Sequence, residues 1–411
     1  MALKYRTKQQ HIMGNQRRRG LKLYAAGTDW LTLAVCLLAS AFGILLVHSA
    51  TLREISEDSA LPFHRDAIVM AAAVALGALV ALLLSFVDYE LLLRFWFVLG
   101  VPCVVLMCSL LLPGVASSPE GRDDAINWIK IPGIGIFFQP SELLKIGFII
   151  SFTSHLYSSL ATINKVKTIL LLGLHAAVPF GLVVLTGDMG SALVFLCITA
   201  GMLFLAGVKL RYFAAAGALG AAAFPILWIY QFSNFQKDRI LAVYFPSRMA
   251  EDTYKTVIYQ QQQARYAMGT GQLFGKGLFK GDYVQTGSVP ESQNDMIFSV
   301  AGEELGFVGA IAVMLVLVLV IVRLARVSSH TRNVRARLLC CGVAVMIGAQ
   351  AMINIGMCIM LLPVIGITLP FFSAGGSSNL CLYLAVGLIM TVYRHQDEHE
   401  DTQSYFDYLY S

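Results

Sequence analysis

One stretch holds the first candidates for chemistry. In GDYVQTGSVPESQNDMIFSVAGEELGFVG, residues 281–309, Asp295 sits where a polar loop gives way to a long apolar run. Glu303 and Glu304 follow about two turns later, roughly 12 Å further along a helix at 1.5 Å per residue. Charge at such a boundary is costly and needs a reason. An acid there can cap a helix, hold a counter-ion or move a proton. Asp295 is placed to cap the helix that follows, with Asn294 competing for that role. Glu303 and Glu304 can serve as partners for a buried arginine or for a helix end.

Four more groups carry chemistry-bearing side chains. Glu142 and Lys145 are three residues apart, so on a helix they share a face. Pro140, Ser141 and Glu142 read as a first turn, where proline and a carboxylate are both favoured. Asp188, in TGDMGSAL, reads as an N-cap at the end of a span. In LPFFSAGGSSNL, residues 369–380, Pro370 and the Gly375–Gly376 pair break a helix and free backbone groups. Ser373, Ser377 and Ser378 can satisfy those groups, or the freed N–H groups and hydroxyls can hold a phosphate or sugar. Arg239, Arg265, Lys276 and Lys280 can neutralise an anionic substrate. His64, His155 and His175 read as packing or interface residues.

The elements that must position these groups are apolar helices. The chain has 411 residues, 57% hydrophobic and 13% charged, with a mean hydropathy of +0.68. Soluble domains carry about a quarter charged residues, so most of this chain belongs in lipid. Runs long enough to span fall at 29–49, 67–87, 91–113, 141–160, 167–186, 189–207, 211–231, 296–323, 338–361 and 368–393. The expected fold is an all-α polytopic membrane protein with ten transmembrane helices and both termini on one side. One membrane domain covers 28–394, between a basic tail at 1–27 and a second tail at 395–411. Without a cleavage site, the first run is expected to remain as a signal-anchor.

Charge orients the bundle. Arg17, Arg18, Arg19 and Lys22, then Lys165–Lys167, Lys209–Arg211 and the arginines 323, 326, 332, 335 and 337 fall on one face, which the positive-inside rule makes cytoplasmic. The tail is then a lipid-contacting segment rather than a nucleic-acid binder. Outer loops follow at 114–140 and 232–295, the latter between helices 7 and 8. All the acids named above then lie towards the outer leaflet, which points to one cavity opening outward. The eight cysteines fall in apolar runs with no ligand spacing and read as small hydrophobes. No internal repeat, nucleotide loop or GxSxG elbow is present.

The segments NWIKIPGIGIFFQPSELLK, TGDMGSALV, GQLFGKGLFKG, VPESQNDMIFSVAGEELGFVG and LPVIGITLPFFSAGGSS, in that order, resemble the SEDS family of bacterial wall synthesis. GKG in the large loop and NIGM at 354–357 lean towards its elongation branch, RodA-like, over its division branch, FtsW-like. The resemblance implies a peptidoglycan glycosyltransferase that polymerises lipid II on the outer face of the bacterial cytoplasmic membrane. It also implies a ten-helix fold and a class B penicillin-binding transpeptidase as partner. By the motif, Asp295 matches the family's essential loop aspartate, here with Gln293, Asn294 and Met296 in place of the more usual His, Thr and Phe. Glu142 and Lys145 match the QPSE-x-x-K positions, and Asp188 matches D-L-G-T. Ala374 stands where a Tyr is common before GGSS.

On that resemblance, Asp295 is expected as a general base acting on the acceptor sugar hydroxyl. Glu142, Lys145, Asp188, Arg239, Lys276, Glu303, Glu304, Ser373, Ser377 and Ser378 are expected to bind substrate or support the site. Charge on the leaving pyrophosphate would be met by Lys145, Arg239 or a divalent metal, Mg2+ or Mn2+, at Asp188 or Asp295. No organic cofactor and no nucleic acid is expected. Two other classes fit the same outward cavity: a lipid II flippase and a non-catalytic scaffold for the transpeptidase.

Overall fold

The computed structural model describes residues 27–54, 63–117, 126–130, 137–230 and 232–410, with side chains to residue 396. The basic tail lies outside the described residues. The path begins with α1 (Trp30–Thr51), α2 (Arg65–Leu84), α3 (Tyr89–Arg94) and α4 (Trp96–Ser109). Three short strands follow: β1 (Ala116–Ser117), β2 (Trp128–Lys130) and β3 (Phe137–Phe138), antiparallel in that order. Then come α5 (Pro140–Ser159), α6 (Val166–Leu185), α7 (Met189–Leu205) and α8 (Leu210–Tyr230). The long loop contains α9 (Asn234–Tyr244), α10 (Glu251–Gly271) and α11 (Asp282–Gln285). The chain closes with α12 (Ile297–Glu304), α13 (Gly306–His330), α14 (Val334–Cys358) and α15 (Gly376–Tyr410).

Among the described residues eight helices are long and apolar enough to cross a membrane: α1, α2, α5, α6, α8, α13, α14 and the part of α15 up to Gln396. The other two expected spans correspond to shorter apolar helices, α4 with 14 residues and α7 with 17. The run at 91–113 is broken at Phe95, where α3 ends and α4 begins. The run at 296–323 is broken at Leu305–Gly306, where Gly306 has φ +69° between α12 and α13. The run at 368–393 is helical only from Gly376, and that helix carries on through the expected tail to Tyr410.

Hydropathy does not distinguish α8 at 1.7 from α14 at 2.0 and α15 at 1.4, but burial does. α5, α14 and α15 bury most of their length, α6 buries little, and α8 buries none. α5 starts as its residues dictate, with Pro140 in the first turn and Glu142 towards the positive end of the helix dipole.

The two ends of the bundle differ. At one end Arg323 Nη2 pairs with Asp29 Oδ1 at 2.8 Å, and Arg335 pairs with Glu90. At the other end lie Ser49, Glu142, Asp188, Asp295, Glu304 and the three-stranded sheet. The arginine-rich end therefore holds clamps between helix ends, and the acids singled out from the sequence gather opposite.

Candidate active site

The site is built where α5, α7, the 289–296 turn and the 362–376 segment meet. Lys145 Nζ lies 2.8 Å from Glu142 Oε1, and Lys145 has no exposed surface. Both project from the first two turns of α5. Asp188 is also buried and caps α7, its Oδ1 accepting from the Ser191 amide at 3.0 Å. Its Oδ2 accepts from Gln139 Nε2 at 2.8 Å and from the Ser141 hydroxyl at 3.0 Å. One carboxylate thus caps α7 and fixes the start of α5, the helix whose first two turns carry Glu142 and Lys145. With hydrogen bonds on both oxygens, and N–H and O–H donors as its neighbours, Asp188 does not fit a divalent metal. Among the described residues no three His, Cys, Asp or Glu side chains are gathered as a metal site.

Asp295 is half-buried in the turn before α12. Neither it nor Asn294 caps that helix. The capping position belongs to Met296, with no side-chain bond, while Asn294 Nδ2 donates to Glu291 Oε2 at 2.7 Å. The 369–376 segment is stitched to this turn. Ser373 Oγ donates to the Asn294 carbonyl at 2.7 Å and accepts from the Leu369 amide at 2.8 Å. The Ala374 amide donates to the Gln293 carbonyl at 2.8 Å. The Gln139 amide approaches Ser377 Oγ at 3.4 Å, and Ser378 Oγ donates to the Gly375 carbonyl at 3.4 Å. All three serines therefore meet backbone groups: Ser373 and Ser378 those of the broken segment itself, and Ser373 and Ser377 those of the Asp295 turn and the start of α5. A water-sized cavity between them and α5 is lined by Glu142, Gln350, Thr368, Ser373, Ser378 and Asn379.

Beside the Asp295 turn a polar cleft of about 240 Å³ opens. Arg65 and Asp66 from the start of α2, Trp128 and Phe137 from the sheet, Asn294, and the backbone at 374–376 line it. Aromatic faces, a guanidinium, a carboxylate and main-chain groups make a wall suited to a charged sugar derivative. Sequence reading missed Arg65, Asp66, Phe137 and Trp128 as site residues. Trp128 stands inside a recognised motif segment, but Arg65 and Asp66 look like any charged helix start.

Three expected site residues lie elsewhere. Glu303, fully buried, accepts from the amides of Tyr283 at 2.9 Å and Val284 at 3.0 Å, so it holds the start of α11. Lys276 pairs with Asp282 and lies 3.8 Å from Glu303. The hydrogen bond that Lys276 donates to Asp282 holds its ammonium pKa above the ordinary value. Glu304 Oε1 accepts from Ser49 Oγ at 2.6 Å and from Gln285 Nε2 at 3.3 Å. Burial pushes its carboxyl above the usual range, with the Ser49 hydroxyl pulling the other way. These residues clasp the long loop between α8 and α12 to α1 and α12. A helix end and a lysine, not a buried arginine, are their partners.

Arg239 lies in a groove beside Gly187 and Met189, at the start of α7. Its Nη1 donates to the Val364 carbonyl at 3.0 Å and its guanidinium lies 4.1 Å from the Phe235 ring centre. It borders an apolar groove of about 350 Å³ lined by Phe180, Gly187, Met189, Leu196 and Ile365 among others. His155 and His175, expected as packing residues, meet Nδ1 to Nδ1 at 2.9 Å, and His175 Nε2 reaches Ser151 at 3.1 Å.

The family model for the cell cycle proteins FtsW, RodA and SpoVE matches residues 29–398. The chain belongs to that family. A probable peptidoglycan glycosyltransferase FtsW from Trichlorobacter lovleyi is 31% identical over 378 residues, 89% of this chain and 92% of that one. The peptidoglycan glycosyltransferase MrdB of Escherichia coli K12 is 30% identical over 295 residues, 72% of this chain and 78% of that one. A solved structure, from work on how a peptidoglycan synthase complex coordinates polymerization and crosslinking, matches with a TM-score of 0.70 at 26% identity, over 90% of this chain and 98% of that one. As a member of this family with eight apolar helices of spanning length, the chain is a multi-pass membrane protein.

Proposed function

We propose that this protein is a peptidoglycan glycosyltransferase that polymerises lipid II, with Asp295 as its general base. Relatives that bear the name of this activity cover most of the chain, which supports the reaction class. The observation that carries the reading is the polar cleft beside the Asp295 turn, ringed by Arg65, Asp66, Trp128 and Asn294 at the end of the bundle opposite the arginine clamps. By the distribution of charge that end is extracytoplasmic, the side on which ten crossings would place both outer loops.

In the proposed reaction Asp295 accepts the proton of the acceptor sugar 4-hydroxyl as its oxygen attacks the donor's anomeric carbon. The new glycosidic bond forms as the bond to undecaprenyl pyrophosphate breaks, and the departing group takes the electron pair. A single displacement inverts the anomeric centre and needs one base rather than two acids. Arg65 supplies positive charge to the pyrophosphate, and Trp128 and Phe137 offer ring faces to the sugars. The apolar groove beside Arg239 is suited to an isoprenoid tail. The Glu142–Lys145 pair and Asp188 hold the floor of the site. A transpeptidase partner is proposed from the synthase complex whose structure this chain resembles.

The test is purified protein, alone and with a class B transpeptidase, given lipid II in detergent. Wild-type protein should make glycan polymer. Asp295→Asn should lose about 10²–10⁴ in rate. Equal polymer yield from the two proteins would remove the base assignment. No polymer from any preparation, with transport of lipid II in vesicles instead, would favour a flippase.

A further inference from the structure

Three consecutive carbonyls lead into α12; two are taken by neighbouring donors of the 369–376 segment and the third by α14. The Ala374 amide binds the Gln293 carbonyl, Ser373 Oγ binds the Asn294 carbonyl, and Asn354 Nδ2 binds the Asp295 carbonyl at 2.8 Å. Asn354 is the fork of this arrangement. The same Nδ2 donates to the Ile367 carbonyl at 2.7 Å, so both amide hydrogens are used. The opposite orientation of the carboxamide would set its oxygen against two carbonyl oxygens, which settles the assignment. Cys358, one turn further along α14, places its Sγ 3.6 Å from the same Asp295 carbonyl.

Asn354 has no exposed surface and projects from one of the most buried helices of the bundle. A buried carboxamide in an apolar helix is costly unless its polar atoms are satisfied. Here it joins the two segments that converge on the candidate base: the turn carrying Asp295 and the link ending in Ile367, which continues into Ser373 and Ala374. α12 offers no capping side chain of its own at that point. The turn is held from outside instead.

We propose that Asn354 is the positioning residue for Asp295: it locks the backbone of the base onto α14, so that the carboxylate is presented at a fixed place and orientation. This rests on the reading of Asp295 as the base. Asn354 touches no substrate, and its effect should fall on turnover rather than on binding. A misplacement of about 1 Å costs on the order of 10²-fold in rate.

The experiment is lipid II polymerisation by purified Asn354→Leu, Asn354→Asp and Asp295→Asn proteins, with rates normalised to folded protein by size exclusion and thermal unfolding. Asn354→Leu should lower kcat by about 10²-fold with KM within about twofold. Asn354→Asp places a carboxylate against two carbonyls. Its protonated form regains one donor, so its rate relative to Asn354→Leu should rise as pH falls. Wild-type kcat in Asn354→Leu, a loss confined to KM, a loss that disappears on normalisation, or a pH-independent ratio between the two variants would overturn the proposal. The Asp295→Asn arm separates the two ideas. If that variant polymerises normally, the base reading itself is wrong. If it is inactive while Asn354→Leu is normal, only the positioning role is wrong.

Discussion

Lys145 Nζ and Glu142 Oε1 form a 2.8 Å ion pair in which the lysine is wholly enclosed by protein. Removing one partner of such a pair leaves a buried charge uncompensated, at about 3–5 kcal/mol. Glu142→Gln and Lys145→Met should each lower the thermal unfolding temperature in detergent, and the double variant should recover part of the loss. Single variants as stable as the wild type would show that the pair is not sealed from water.

Asp188 joins two helix starts through three hydrogen bonds. Asp188→Asn keeps the cap on α7 but sets an amide group against the Gln139 amide and the Ser141 hydroxyl. The cost should be about 1–3 kcal/mol. Gln139→Glu in the same background would add a carboxylate facing that amide and should restore part of it. Denaturation of the single and double variants checks the coupling.

Arg65 should carry a charge-assisted hydrogen bond to the lipid-linked substrate, worth about 1.5–3 kcal/mol. Arg65→Ala should therefore lose about 10–100-fold in kcat/KM for lipid II. Arg65→Lys should recover only part, since an ammonium lacks the planar fork. Kinetics indistinguishable from wild type would move the anion site away from this cleft.

Glu304 makes the fold sensitive to pH in a defined direction. Its folded carboxyl is raised, so between the ordinary carboxylate value and that raised value the folded state holds more protons than the unfolded one. Stability from this group is then full at low pH and is lost as pH rises through that window. Glu304→Gln should flatten the decline and leave the protein as stable or more stable at neutral pH. A steeper decline in the variant would contradict the assignment.

Gly275 has φ +78°, and a methyl group added there would lie 2.2 Å from the Glu304 carbonyl oxygen. Gly275→Ala should destabilise by more than about 1 kcal/mol and loosen the clasp over Glu303 and Glu304. Faster proteolysis within 272–285 is the expected readout.

Much of this was legible from residue order alone, because the relevant physics is local. Apolar runs of spanning length mark the helices, proline and glutamate mark the start of α5, and a three-residue spacing puts Lys145 beside Glu142. Asp188 as a cap needs only its own next turn. The motif segments were enough to indicate the family. Tertiary structure alone decided the rest. The mean hydropathy of α8, 1.7, falls between those of α15 and α14, 1.4 and 2.0, so it could not tell those buried helices from the exposed one. Glycine at positive φ, not polarity, splits α12 from α13. Glu303 and Glu304 turned away from Asp295 because the nearest unsatisfied donors, the amides of α11 and the hydroxyl of Ser49, came from distant parts of the chain. The Arg65–Trp128 cleft and the bond from Asn354 to the Asp295 carbonyl likewise join residues dozens to hundreds of positions apart, and periodicity carries no information about such pairings.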